Sequence, residues 1–103
     1  MQTCETEHKE RFDNLLTKNK IFLLSMPNCR ACEMAKTLLK DNKIGFETVD
    51  ITLDEDLFNC VYEKTKSQYV PQIFVNKKYI GSYNELGYLH KSGLLEDLLK
   101  SNI

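Results

Sequence analysis

Two cysteines separated by two residues, Cys29 and Cys32, stand between a short apolar run at 21–24 and a segment, 29–42, with apolar residues at helical intervals: Ala31, Met34, Ala35, Leu38 and Leu39. An apolar run of that length reads as a buried strand. The pair therefore falls where a strand has ended and a helix begins. Gly45 and a second strand over 46–49 follow, which makes a strand-helix-strand unit.

The rest of the chain extends the alternation. Residues 7–18 place Phe12, Leu15 and Leu16 on one helical face ahead of the first strand. Thr52-Leu53-Asp54-Glu55 reads as a capping box that opens a helix burying Leu57, Cys60 and Val61. Negative charge in a first helical turn is stabilised by the helix dipole, typically by about 0.3–1 kcal/mol, so the acidic run Asp54-Glu55-Asp56 needs no metal to explain it. Short strands at 72–75 and 79–81 flank a turn at Asn76-Lys77, and 86–99 is helical with a break at Ser92-Gly93. This order predicts a thioredoxin-like α/β fold: a four-stranded mixed sheet flanked by helices, parallel in its first half and closed by an antiparallel hairpin. Residues 7–103 are expected to form a single domain behind a mobile N-terminal end, 1–6.

Composition narrows the partners. With 103 residues and 42% apolar content the chain supports one modest core. Lys and Arg total 14 against 15 Asp and Glu, a net charge of -1, so no field draws it to nucleic acid or an anionic membrane. The longest apolar run is far too short to span a bilayer, and the charged, polar start carries no secretory pattern. A cytoplasmic monomer without nucleic-acid or membrane partners is expected. Structural disulfides are rare in reducing compartments, so a Cys-x-x-Cys pair there points to redox or metal chemistry. A structural zinc site needs a second ligand pair, and Cys4, His8, Cys60 and His90 are scattered singles, so no metal site is expected.

The chemistry of the pair follows from its place at the helix start. Free amides and the helix dipole favour a thiolate at Cys29, with a lowered pKa, and Arg30 adds a neighbouring positive charge. Cys29 is the candidate nucleophile. Cys32, one turn along the same side, is the candidate resolving thiol, able to release a mixed disulfide by closing an internal one. Cys60 shares a helical face with Leu57 and Val61 and is expected to pack as a small hydrophobe, whereas Cys4 is expected to be an exposed thiol on the mobile end. His8 and His90 read as surface helix residues.

Together with Cys29-Arg30-Ala31-Cys32, the segments Tyr69-Val70-Pro71-Gln72-Ile73-Phe74-Val75-Asn76, Tyr79-Ile80-Gly81 and Leu89-His90-Lys91-Ser92-Gly93-Leu94 resemble a dithiol glutaredoxin over nearly the whole chain. The resemblance implies that Pro71 is cis and lies against the active-site disulfide, a bond geometry that costs little only before proline. It further implies that glutathione is the co-substrate, its cysteinyl part paired with the backbone of Val70. Gln68 would reach the glycine carboxylate, Tyr83 and Asn84 in the loop 82–85 would receive the γ-glutamyl end, and Tyr69 and Pro71 would complete the groove with Cys29. Glutathionylated and disulfide-containing proteins are the implied partners.

Several positions depart from the family pattern. Ala31 stands where an aromatic ring commonly lines the groove, Met26 where a lysine is common, Tyr69 in place of threonine and Ser82 in place of glycine. The absence of proline between the cysteines also matches family members that bridge a [2Fe-2S] cluster between two subunits. Thus the resemblance implies a glutathione-dependent thiol-disulfide oxidoreductase, with a cluster-binding dimer, or a thioredoxin-like electron donor reduced by a flavoenzyme, as the alternatives.

Overall fold

Every residue of the strand Ile21–Ser25 (β1) is buried, because β1 lies inside the sheet with helices packed on both faces. A computed structural model describes residues 4–100. Around β1 the chain runs through α1 (Thr6–Lys18), α2 (Arg30–Asp41), β2 (Glu47–Asp50), α3 (Glu55–Thr65), β3 (Gln72–Val75), β4 (Lys78–Gly81), α4 (Tyr83–Ser92) and α5 (Leu94–Lys100). The strand order is β2-β1-β3-β4. The β1–β2 pair is parallel, as a helical crossover allows, and β1–β3 and β3–β4 are antiparallel, so the expected four-stranded mixed sheet is the one observed.

Strand alternation divides the core in two. Phe22, Leu24 and Phe74 point to one face, where they meet Phe12 and Leu16 of α1 and Leu57, Cys60 and Val61 of α3. Ile21, Leu23, Ile73 and Val75 point to the other and meet Ala35 and Leu39 of α2, Leu86 of α4 and Leu95 of α5. The first face is centred on three phenylalanines: ring centroids of Phe12 and Phe74 lie 5.5 Å apart edge-on, with Phe22 at 6.3 and 6.2 Å from them.

Three local expectations are corrected. The α3 helix starts two residues later than the capping-box reading had it: Asp54 is the N-cap, its carboxylate accepting from the Leu57 amide at 3.2 Å, while Thr52 donates its amide and hydroxyl to Asp50 in a separate turn. The acidic run thus caps the helix and ties α3 to α1, through the Arg11–Asp54 ion pair and through His8, whose Nε2 is 3.5 Å from Asp56. The segment 82–85 is the start of a helix rather than a loop. Ser82 and Glu85 form a capping box, the Ser82 amide donating to Glu85 Oε1 at 2.8 Å.

The third correction concerns the outlying cysteines. Cys4 and Cys60 form a disulfide with Cα atoms 4.7 Å apart, across 56 positions of sequence. Cys60 does pack against Leu57 and Val61, but it is bonded to Cys4, which is therefore no free thiol. The helical period places Cys60 on the α3 face turned toward α1, and the segment preceding α1 returns along that face. Of the expected mobile end 1–6, residues 1–3 lie outside the described residues, Cys4 is bonded and Thr6 already belongs to α1. No helix among the described residues is long and apolar enough to cross a membrane.

Candidate active site

The end of β1 aims the chain at the site. Ser25 is buried, its carbonyl accepts from the Ile51 amide at 2.9 Å and its hydroxyl lies 3.0 Å from that of Thr48, so the strand end is held against β2 and the loop beyond it. Met26, Pro27 and Asn28 then leave the sheet as an exposed turn, Asn28 in the left-handed region at φ 58°. Cys29 ends the turn as the N-cap of α2.

At that position the sulfur does the work usually given to a Ser or Asp oxygen: the Cys32 amide donates to Cys29 Sγ at 3.2 Å. A thiolate formed there meets an amide donor and the positive end of the α2 dipole together, as the strand-to-helix reading anticipates. The two cysteines are joined as a disulfide, with Cα atoms 5.2 Å apart. Their exposures differ. Cys29 is half-buried and Cys32 fully buried, so an external sulfur reaches Cys29 alone.

The Val70–Pro71 bond is cis, as the resemblance implies, and the Val70 carbonyl oxygen lies 3.9 Å from Cys29 Sγ. Pro71 is buried. What holds the approach to the cis bond is a residue with no expected role beyond opening a strand: Gln72, fully buried, donates from Nε2 to the Ser67 carbonyl at 2.6 Å and accepts from the Thr65 hydroxyl at 3.0 Å. Ser67 in turn donates its amide to Thr65 at 3.2 Å. A lone amide side chain heading an otherwise apolar Gln-Ile-Phe-Val strand is the signal that could have found it, because buried polar side chains are kept where they satisfy specific partners.

The remaining groove residues are dispersed around this centre. Gln68 and Tyr69 are exposed on the turn leading to Val70, Tyr69 with 81% of its surface free. Tyr83 lines an open groove of about 470 Å³ between α2 and α4, together with Arg30, Glu33, Met34, Thr37 and His90. Asn84 does not share it. Asn84 borders two other depressions, one with Tyr83, Gly87, Tyr88 and Lys91 and one with Tyr79, Ile80 and Leu98. Tyr83 and Asn84 are the first residues of α4, and their amides have no partner within the helix. Gly81 makes this helix start possible: at φ 114° a side chain is strained, and a Cβ would sit 2.7 Å from Glu85 Oε1.

A mixed four-stranded sheet with helices on both faces, a dithiol pair capping the first crossover helix and a cis-proline loop against its leading sulfur define a thioredoxin-like redox protein. Residues 20–80 match the glutaredoxin family profile, and the chain belongs to the glutaredoxin family, which comprises thiol-disulfide oxidoreductases. Glutaredoxin-1 of Saccharomyces cerevisiae is 32% identical over 94 residues, covering 84% of this chain and 86% of that protein. The mitochondrial glutaredoxin-2 of Pongo abelii is 29% identical over 102 residues, which cover 96% of this chain and 63% of that relative, so the chain spans less than two thirds of its length. Among solved structures, a dithiolic glutaredoxin from Trypanosoma brucei brucei shares the fold with a TM-score of 0.77 at 29% identity, covering 84% of this chain and 93% of that one. A buckwheat glutaredoxin-glutathione complex shares it with a TM-score of 0.79 at 20% identity, over 92% and 93% of the two chains.

Proposed function

We propose that the protein reduces glutathione mixed disulfides and protein disulfides through Cys29 and Cys32, with glutathione as co-substrate. The observation that carries this reading is the half-buried Cys29 sulfur, hydrogen-bonded to the Cys32 amide and facing the Val70 carbonyl. In the reduced protein the Cys29 thiolate attacks the glutathione sulfur of a mixed disulfide. A Cys29-glutathione disulfide forms, and the substrate thiolate leaves and takes a proton from water. A glutathione thiolate then attacks the glutathione sulfur, giving glutathione disulfide and regenerating Cys29.

With a protein disulfide as substrate, attack by Cys29 yields a protein-Cys29 bond, and the Cys32 thiolate displaces the protein sulfur to close the internal disulfide. Two glutathione molecules reopen it and leave as glutathione disulfide. The burial of Cys32 suits it to this intramolecular step, since it reaches only a sulfur already attached to Cys29.

In the same reading Val70 pairs with the cysteinyl backbone of glutathione beside Pro71, Gln68 and Tyr69 meet its glycine end, and the free amides of Tyr83 and Asn84 at the α4 N-terminus receive the γ-glutamyl carboxylate. The buckwheat relative solved with glutathione supports the choice of ligand. The test is a Cys29→Ser variant assayed against a glutathione mixed disulfide with glutathione as reductant. Loss of turnover is expected, and a variant as active as the parent protein would overturn the assignment.

A further inference from the structure

Cys4 and Cys60 lie on the opposite face of the sheet from α2, where α1 packs on α3. The segment ahead of α1 is anchored to α3 at two adjacent points of one helical face: by the disulfide to Cys60, and by the Cys4 amide, which donates to Glu63 Oε2 at 2.9 Å. The two sulfurs differ in access. Cys60 is 4% exposed, whereas Cys4 is half-buried, and both border an open cavity of about 280 Å³ lined also by Lys9, Phe12, Asp13, Glu63 and Lys64. A small thiol can enter there, where the ammonium groups of Lys9 and Lys64 are balanced by the carboxylates of Asp13 and Glu63, and the more exposed of the two sulfurs it meets is that of Cys4. Opening the bond leaves the apolar contacts of Phe12, Leu16, Leu57 and Val61 in place, so the α1–α3 face persists without it.

We propose that Cys4–Cys60 is a second redox site of this protein, a reversible staple exchanged with small thiols and disulfides such as glutathione and its disulfide, separate from the Cys29–Cys32 centre. On reduction a glutathione thiolate attacks Cys4 Sγ, and the Cys60 thiolate leaves and is protonated. A second glutathione releases Cys4, so one disulfide is converted to two protein thiols and one glutathione disulfide is formed. On oxidation Cys4 attacks glutathione disulfide and expels one glutathione, and Cys60 displaces the other. Geometry favours that last step because the Glu63 bond holds Cys4 over Cys60. Closing a loop of 56 positions restricts the unfolded chain, so the oxidised form is the more heat-stable one.

The test uses the full chain carrying Cys29→Ser and Cys32→Ser, equilibrated across ratios of glutathione to its disulfide, trapped with an alkylating agent and weighed intact. A single two-electron transition between a form with two alkylated thiols and a form with none, without accumulated glutathione adduct, is expected. The oxidised form should melt higher by at least about 8 °C. Two free thiols in excess glutathione disulfide, a stable glutathione adduct at Cys4, or equal melting temperatures would each overturn the proposal. Should the double variant fold poorly, peptide mapping of the parent chain after the same trapping reads the Cys4–Cys60 pair directly, with the same outcomes deciding. A Cys4→Ser variant is expected to keep full activity toward glutathione mixed disulfides.

Discussion

The amide of Cys32 donates to the sulfur of Cys29 at 3.2 Å, so the residue proposed to resolve the reaction also supplies, from its backbone, a donor to the residue that starts it. The two contributions separate by mutation. Cys32→Ala removes the second thiol and keeps the N–H, whereas nothing at position 29 but a sulfur can both accept that bond and attack a disulfide.

Cys32→Ala is therefore expected to retain most of the turnover of glutathione mixed disulfides while losing the reduction of protein disulfides that depends on internal closure. Iodoacetamide at pH 7 should still label Cys29 selectively in this variant, read by peptide mass. Equal loss of both activities would show that Cys32 is needed for more than closing the disulfide.

Gln72 suspends the turn before the cis peptide. Gln72→Leu leaves the Ser67 carbonyl and the Thr65 hydroxyl without their buried partner, a loss of about 1–3 kcal/mol in unfolding free energy by denaturant titration. The KM for a glutathione mixed disulfide should rise more than kcat falls, because the turn presents Val70 rather than Cys29.

Gly81→Ala forces a side chain into a backbone at φ 114° and against the Glu85 carboxylate. A cost of roughly 1–3 kcal/mol is expected, measured as a fall in Tm. Glu85→Ala removes only the capping box and should cost less, about 0.5–1 kcal/mol.

The hairpin offers a change of the opposite sign. Asn76 and Lys77 both have positive φ, 51° and 73°, the geometry of a two-residue turn that favours Asn-Gly. Lys77→Gly should stabilise the protein by about 1 kcal/mol in the same titration, since the left-handed conformation costs a non-glycine residue about that much.

The source of electrons is read by offering the oxidised protein either glutathione or a thioredoxin-reductase-type flavoenzyme with its nicotinamide donor. Free thiols at Cys29 and Cys32 should appear with glutathione and not with the flavoenzyme. The reverse result would transfer the protein to the flavoenzyme-reduced class.

What could be read in the sequence was local. The apolar run of β1, the helical period of α2 and the strand pair around Asn76-Lys77 are each written within a dozen residues, and each was found where expected. Errors arose where two local signals competed. Thr52 and Asp54 both offer a capping oxygen, and the chain uses Asp54 because its carboxylate also meets Arg11 of α1. Ser82 carries only a loop signal locally, and its pairing with Glu85 makes it the N-cap of α4.

The cysteines divide along the same line. For Cys29 and Cys32, their spacing and their place between a strand and a helix determined the redox reading, because three positions along a helix bring two sulfurs to one side whatever the rest of the chain does. For Cys4 and Cys60 neither spacing nor helical face could show a partner. Their bond exists because α1 packs on α3 and returns the start of the chain across 56 positions to a sulfur that periodicity alone assigned to the core, and only tertiary packing brings together residues so far apart in sequence.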